Sequence, residues 1–151
     1  MIFITGGASG LGEETVRRLS SLGAKICIAD LQEDRMTEVV NSLKRGKDVT
    51  WIKCDVTSEE QCKAAVEHCV KAFGVVHAVI NCAGIATVSP MITKTGSIST
   101  ELFRKTIEIN VFGSLYISKY AAVQISKQEK LNETGERGVI IHISSVAAQE
   151  G

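Results

Sequence analysis

The chain has 151 residues, of which 44% are hydrophobic and 23% charged, a balance typical of one globular domain rather than of a disordered or collagen-like chain. Lys plus Arg and Asp plus Glu both number 17, so the formal net charge is zero, which argues against nucleic-acid binding. No apolar run reaches the roughly 18 residues of a membrane span. The five cysteines form no C-x-x-C pair and the three histidines show no ligand spacing, so we expect no metal site and an intracellular, reducing location.

Short apolar runs alternate with segments of helical periodicity along the whole chain. Strands are predicted at 2–5, 26–29, 49–53, 78–80 and 139–143. Apolar residues three and four positions apart predict helices at 11–22, 36–43, 62–73 and 99–127. Gly46 should close the second helix, a capping box at 58–61 should open the third, and 85–98 and 128–138 should be loops. The alternation predicts an α/β fold with a Rossmann-type, doubly wound parallel sheet in the order 3-2-1-4-5, covered on both faces.

A glycine-rich turn at 5–12, T-G-G-A-S-G-L-G, joins the first strand to the first helix. Gly6 permits a sharp exit from the strand, Gly10 lets the backbone approach a pyrophosphate, and Gly12 lets helix and strand pack closely. The helix N-terminus then offers N–H groups and a positive dipole end to phosphates. The alternative is a tight turn without a ligand. A mononucleotide P-loop is excluded because no Gly-Lys-Ser/Thr follows.

An acidic residue, Asp30, ends the second strand eighteen positions after Gly12. An acid at about this separation accepts a hydrogen bond from a ribose 2′-hydroxyl and repels a 2′-phosphate. Neither Leu31 nor Ser9 supplies a cation that would offset the repulsion, so NAD is favoured over NADP. The alternative is an exposed Asp that caps the following helix.

Polar residues also follow the later strands. Asp55 is suited to hold an adenine amino group or, equally well, to cap the next helix. The segment 81–84, N-C-A-G, lies where open α/β sheets bind ligands, or is a turn of small residues. Ser144 and Ser145 end the fifth strand, where a hydroxyl can bond a reacting carbonyl or cap a helix. Asn110, in an apolar helical stretch, is predicted to be a buried hydrogen-bonding residue with or without a catalytic role.

In combination, these motifs resemble the short-chain dehydrogenase/reductase family over essentially the whole chain. Two positions depart from its commonest pattern, because Cys82 replaces the second Asn of N-N-A-G and His77 stands where an acid is common. The resemblance implies NAD contacts from Ser9, Leu11, Asp30, Asp55, Val56 and Cys82. With the motif residues, the predicted cofactor-binding set is Gly6, Ser9, Gly10, Leu11, Gly12, Asp30, Asp55, Val56, Asn81, Cys82, Ala83 and Gly84.

The resemblance also implies an activity and an assembly. It makes Ser145 the catalytic serine and gives Asn110 a supporting role in proton relay. It implies a homotetramer, usually mitochondrial, that interconverts a secondary alcohol and a ketone. The implied substrates are 3-hydroxyacyl-CoA and 3-ketoacyl-CoA, or steroid-like alcohols.

The family's acid–base pair is a Tyr thirteen residues after the catalytic Ser and a Lys four residues later. Only six residues follow Ser145, and neither Tyr116 nor Tyr120 has a Lys four positions on. We therefore expect residues 1–151 to be an incomplete dinucleotide-binding domain, truncated after the fifth strand and inactive alone. The alternative is a non-catalytic dinucleotide-binding module. A methyltransferase with the same glycine turn fits the motifs after the fourth and fifth strands poorly.

Overall fold

The computed structural model describes residues 1–87, 90–94 and 96–150. Its main sheet has five parallel strands: β1 (Ile2–Thr5), β2 (Ile26–Asp30), β3 (Val49–Lys53), β4 (Ala78–Asn81) and β7 (Val139–His142). Two short strands, β5 (Ile92–Thr93) and β6 (Gly96–Ser97), form a separate antiparallel hairpin inside the segment predicted as a loop. The main-sheet order, β3-β2-β1-β4-β7, confirms the predicted one, since the hairpin strands lie outside that sheet.

Helices connect the strands of the main sheet. They are α1 (Gly10–Ser21), α2 (Glu33–Leu43), α3 (Glu59–Phe73), α4 (Thr100–Ile107), α5 (Ser114–Ser126) and α6 (Ala147–Glu150). A π-helical segment, Glu108–Gly113, joins α4 to α5, so the long helix predicted there is one rod with an irregular middle. The prediction that Gly46 closes α2 is wrong: Lys44 adopts the left-handed conformation at φ 53°, and Gly46 begins a separate 3-10 turn.

Two apolar layers hold the sheet, one on each face, because successive strand residues point in opposite directions. Phe3, Cys27 and Val79 face α3 and α5, where Cys62, Ala65, Cys69, Ile117 and Ala121 are buried. Ile4, Ile28 and Ile80 face α1 and α2, where Val16, Met36 and Val39 are buried. The predicted helix cover is thus present on both faces over the central strands.

The fifth main-sheet strand, β7, departs from the predicted cover on both faces of the sheet. Val139 is 50% exposed and Ile141 is 42% exposed. Within the described residues, β7 pairs only with β4 and is therefore the edge of the sheet. The apolar run of β7 predicted the strand correctly. Such a run also indicates a buried strand, but the described residues do not cover β7 as they cover the central strands.

The N-terminus of α3 is tied to the loop after β3 through a modified capping box. Ser58 Oγ accepts the N–H of Gln61 at 3.3 Å, as predicted. The Gln61 side chain does not return this bond to Ser58; its Oε1 accepts the N–H of Asp55 at 2.9 Å instead. The Ser58 N–H donates to the Asp55 carbonyl at 3.0 Å, so the turn of Asp55 and the start of α3 form one unit.

Glu59 joins α3 to α5, because its carboxylate pairs with the Lys119 ammonium and accepts the Tyr120 hydroxyl at 2.8 Å. These two hydrogen bonds lower the pKa of Glu59. A lowered folded-state pKa stabilises the protein above the ordinary carboxyl range of about 4, and that contribution is lost as the pH falls. We expect Glu59→Gln to lower Tm by a few degrees at neutral pH, with the difference from wild type shrinking progressively as the pH falls below the ordinary carboxyl range.

Thermal denaturation from pH 7 to pH 3 checks this expectation. Glu60→Gln is the matched control, since Glu60 is the exposed neighbour on the same helix turn and has no hydrogen-bond partner among the described residues. The stabilising role of Glu59 would be contradicted by a Tm deficit of Glu59→Gln that persists unchanged at pH 3, or by an equal Tm deficit in Glu60→Gln.

Candidate functional site

A cleft of about 450 Å³ opens at the carboxyl ends of the strands, where the chain leaves β1, β2, β3 and β4. This is the point at which the strand order reverses direction and where open α/β sheets form a ligand crevice. Of the twelve predicted cofactor residues, those that line it are Gly6, Ser9, Gly10, Leu11, Gly12, Asp30, Asp55, Val56, Cys82, Ala83 and Gly84. The cleft also has lining residues that we did not predict as site residues, namely Ala29, Leu31, Gln32, Cys54, Ile85 and Ile109.

The glycine turn brings the start of α1 against the end of β1. Gly6 has a φ of +67°, and a Cβ there would lie 2.7 Å from the Ala83 backbone nitrogen. Gly10 has a φ of +54°, a conformation that L side chains rarely adopt. A Cβ on Gly12 would lie 2.0 Å from the Gly6 carbonyl oxygen, so only glycine permits this approach.

The N-terminus of α1 faces the cleft, and the backbone N–H groups of its first turn have no acceptor within the helix. The first intrahelical bond is donated by the Glu13 N–H to the Ser9 carbonyl at 3.1 Å. Among the described residues, the Ser9 side chain makes no capping hydrogen bond. The N–H groups of the preceding positions and the positive end of the helix dipole are therefore suited to an anionic ligand such as a pyrophosphate.

The Asp30 carboxylate is fixed at the side of the cleft by two backbone donors. The Ala8 N–H donates to Oδ2 and the Gln32 N–H donates to Oδ1, each at 3.1 Å. The bond to Gln32 belongs to the turn before α2. The alternative, in which Asp30 caps the following helix, is therefore confirmed in part. Because a carboxylate oxygen accepts more than one hydrogen bond, both oxygens retain the capacity to accept ligand hydroxyls.

Asp55 also lines the cleft, but its side chain stabilises its own turn. Its Oδ1 accepts the backbone N–H of Thr57 at 2.9 Å and the Thr57 hydroxyl at 2.7 Å. Ser58 provides the N-terminal cap of α3, so the alternative in which Asp55 caps that helix is wrong.

The N-C-A-G segment is divided between the cleft and the protein interior. Asn81 is only 4% exposed and does not line the cleft formed by the described residues. Its Nδ2 donates to Ser118 Oγ at 3.2 Å and lies 3.4 Å from His142 Nδ1. The Ala83 N–H donates to Thr5 Oγ1 at 3.2 Å, which holds this segment against the glycine turn.

Asn110 holds the chain beyond this segment with two hydrogen bonds. Its Oδ1 accepts the Ile85 N–H and its Nδ2 donates to the Ile85 carbonyl, both at 2.9 Å. The expected hydrogen-bonding role is present, but the expected burial is wrong, because Asn110 is exposed. The π-helical turn presents this amide beside Ile85, which itself lines the cleft.

Ser144 and Ser145 are exposed and follow β7 at the carboxyl edge of the sheet. Ser145 Oγ accepts the Ala147 N–H at 3.2 Å, so in this structure it caps the short helix α6, as the alternative reading proposed. It does not line the cleft formed by the described residues.

We expect Asn110→Ala to weaken dinucleotide binding about three- to tenfold, the scale of losing one or two hydrogen bonds. The physical reason is that the Ile85 backbone would lose both hydrogen bonds to the Asn110 side chain while still forming part of the cleft wall. Fluorescence titration with NADH measures the effect. Thr106→Val is the control, because it removes the 2.6 Å bond between Thr106 of α4 and Thr87, which lies in the same loop as Ile85. Equal weakening by both variants would contradict a specific role for Asn110.

The described residues contain neither a metal-binding cluster nor a membrane-spanning helix. Within 1–87, 90–94 and 96–150, no group of three or more His, Cys, Asp or Glu residues is placed to hold a metal ion. No helix in the described part of the chain is both long and apolar enough to cross a membrane.

A doubly wound parallel sheet, a glycine turn at a helix N-terminus and an acid at the end of β2 define a dinucleotide-binding α/β protein. Within that class, the family model for short chain dehydrogenase matches residues 1–151. The chain therefore belongs to the short-chain dehydrogenase family, which confirms the resemblance.

Individual relatives and a solved structure are similar to this chain over nearly its whole length. The chain is 37% identical over 150 residues to 3-hydroxyacyl-CoA dehydrogenase type-2 of Drosophila melanogaster, covering 98% of the chain and 58% of that relative. It is 34% identical to (+)-borneol dehydrogenase 2 of Salvia officinalis, covering 98% and 49%. The solved structure of 3-hydroxyacyl-CoA dehydrogenase type-2 from Mycobacterium avium matches with a TM-score of 0.87 at 29% identity, covering 98% and 57%. The chain spans about half the length of the curated relatives it matches.

Proposed function

We propose that this chain is the dinucleotide-binding part of an NAD-dependent oxidoreductase that interconverts a secondary alcohol and a ketone. The observation that carries the proposal is the Asp30 carboxylate, held at the side of the cleft by the Ala8 and Gln32 N–H groups. No Lys or Arg is among the described residues that line this cleft. A ribose 2′-hydroxyl therefore finds an acceptor, whereas a 2′-phosphate would meet an uncompensated negative charge.

In this proposal, different residues of the cleft bind different parts of the dinucleotide. The N–H groups at the start of α1 receive the pyrophosphate, and Asp30 receives the adenosine ribose. Asp55 and Val56 lie on the adenine side, whereas 82–84 form the wall that continues into Ile85, which Asn110 holds. When bound, the nicotinamide supplies or accepts the hydride. Ser145 holds the substrate oxygen, and a Tyr/Lys pair outside residues 1–151 moves the proton.

The proposed substrates are 3-hydroxyacyl-CoA and 3-ketoacyl-CoA, with steroid-like alcohols as the next class. This choice is supported by the names of two matched relatives and by the resemblance of the motifs. By the resemblance of the motifs alone, a role in fatty acid metabolism in the mitochondrion is proposed as well. Residues 1–151 form an incomplete domain in this proposal and are inactive alone, so activity belongs to the intact protein.

A homotetramer is proposed for the intact protein. In addition to the family resemblance, the rod formed by α4, the π-helical segment and α5 leaves large apolar side chains exposed to solvent. They are Leu102, Phe103, Val111, Phe112, Leu115 and Val123. Exposed apolar groups of this kind are frequent at protein interfaces. Light scattering of the intact protein should give four times the subunit mass, and a monomer would contradict this assembly.

The function is tested by assaying the intact protein with acetoacetyl-CoA and either NADH or NADPH. We expect turnover with NADH, and we expect Ser145→Ala to lower kcat about a hundredfold or more, the effect of removing one donor to a developing oxyanion. Ser144→Ala is the matched control and should retain activity. NADH binding without turnover would favour the non-catalytic module, and failure to bind NADH would overturn the proposal.

A further inference from the structure

A second depression, of about 530 Å³, adjoins the side of the cleft that carries Asp30. It is lined by residues 31–35, which form the turn after β2 and the first residues of α2. Leu31 and Gln32 line both the cleft and the depression, and the Gln32 N–H donates to the Asp30 carboxylate. Space beside Asp30 is therefore open, so shape alone does not exclude a ribose 2′-phosphate from this region.

Lys53 lies beside Asp30 in the sheet, but its ammonium is engaged elsewhere. The two residues are register partners in the parallel strands β2 and β3, so their side chains leave the same face of the sheet. The Lys53 Nζ pairs with Glu33 Oε1 at 2.8 Å, and Glu33 lies in the first turn of α2. The hydrogen bond from Lys53 to Glu33 raises the pKa of Lys53. A cation that can offset the charge of Asp30 is thus neutralised by a different carboxylate.

Arg35 is another cation in this region, and two carboxylates hold it. Its Nη2 lies 3.1 Å from Glu13 Oε2, and its Nη1 lies 2.6 Å from Glu38 Oε2. Loss of either carboxylate therefore leaves Arg35 paired with the other one. Lys53 differs, because Glu33 is its only ion-pair partner among the described residues. Of these two cations, Lys53 is the one that a single substitution would release.

We propose that Glu33 contributes to the dinucleotide preference of the cleft by engaging Lys53, which would otherwise bind a phosphate at the ribose 2′-position. With the ion pair intact, a 2′-phosphate next to Asp30 meets the charge of that carboxylate and a neutral pair. A lysine ammonium is a compact charge on a flexible stem, and phosphate is one of its ordinary partners. This role of Glu33 rests on the proposed function, in which Asp30 receives the adenosine ribose.

Removing the Glu33 charge frees Lys53 without altering the lining of the cleft. Glu33 does not line the cleft formed by the described residues, and its side chain is exposed. Exposed ion pairs contribute little to stability, so Glu33→Gln should fold as the wild type does. The released ammonium offsets the repulsion between Asp30 and a 2′-phosphate. A ribose 2′-hydroxyl needs no such cation, because the Asp30 carboxylate accepts its hydrogen bond.

Fluorescence titration of the intact protein with NADH and with NADPH measures the effect. We expect Glu33→Gln to lower the Kd for NADPH about three- to tenfold, between the effect of an exposed ion pair and that of a hydrogen bond to a charged group. The Kd for NADH should stay within about twofold of the wild-type value. The gain for NADPH should shrink as the salt concentration is raised, because exposed charges are screened.

Two control variants separate the release of Lys53 from the loss of one negative charge. Glu38→Gln removes the same charge from the same helix but leaves Arg35 paired with Glu13, so the Kd for NADPH should change by less than about twofold. Glu33→Gln combined with Lys53→Gln should return this Kd to the wild-type value. No gain in Glu33→Gln, an equal gain in Glu38→Gln, or a gain that survives the replacement of Lys53 would overturn the role of Glu33. A wild-type protein that fails to bind NADH would instead overturn the proposed function, so the two failures are distinguishable.

Discussion

Asp30→Ala in the intact protein is expected to raise the Kd for NADH about ten- to a hundredfold while leaving NADPH binding equal or improved. The carboxylate is the only acid on the β2 side of the cleft, among the described lining residues. A hydrogen bond to a charged group contributes about 1.5–3 kcal/mol, and each 1.4 kcal/mol is a factor of ten in affinity. NADPH escapes this loss, because removing the negative charge also removes its repulsion of the 2′-phosphate.

The control for Asp30→Ala must remove the same charge without removing the acceptor. Asp34→Ala does so, since Asp34 is an exposed acid in the first turn of α2, four positions further along the chain. Both variants are titrated with NADH and NADPH by fluorescence, and both are melted thermally. Asp30→Ala also leaves the Ala8 and Gln32 N–H groups to water, so a modest loss of Tm is expected for it alone. Equal loss of NADH affinity in the two variants, or a preserved preference of Asp30→Ala for NADH, would contradict the role of Asp30.

The sequence predicted the strand ends better than it predicted the helix irregularities. Parallel strands place their carboxyl ends at one edge, so the turns after β1 to β4 were expected to meet, and their residues do line one cleft. Leu31 and Ile85 follow from the same rule, since each lies in such a turn. Ile109 does not, because it reaches the cleft from a π-helical segment that no apolar period indicates.

Burial was the other property that apolar pattern alone did not determine. The run of β7 resembles the runs of the central strands, yet Ile141 is 42% exposed because β7 lies at the edge of the described sheet. Conversely, Asn81 was expected in the cleft, but its side chain turns inward to Ser118. Whether a strand residue faces a ligand, a helix or solvent depends on which elements pack on each face, and that information is not local to the strand.

The glycine turn provides the largest expected effect on stability. Gly12→Ala would place a Cβ 2.0 Å from the Gly6 carbonyl oxygen, and both groups belong to the backbone. Gly6 has little freedom to move, because its N–H donates to the Ala29 carbonyl at 2.8 Å and its Cα faces the Ala83 backbone. We expect the free energy of unfolding of the intact protein to fall by about 3 kcal/mol or more, the upper range of overpacking. Urea denaturation measures it.

Substitutions of two further glycines distinguish the cost of steric overlap from the cost of a left-handed backbone conformation. Gly23→Ala and Gly10→Ala introduce a Cβ at φ values of +87° and +54°, and neither Cβ has a heavy atom of the described residues within 4 Å. Each should therefore lower the free energy of unfolding by only about 1–2 kcal/mol, the cost of the left-handed conformation. Gly10 lines the cleft and Gly23 does not, so only Gly10→Ala should also weaken NADH binding. If Gly12→Ala unfolds like Gly23→Ala, the close approach of α1 to β1 is not what requires glycine there.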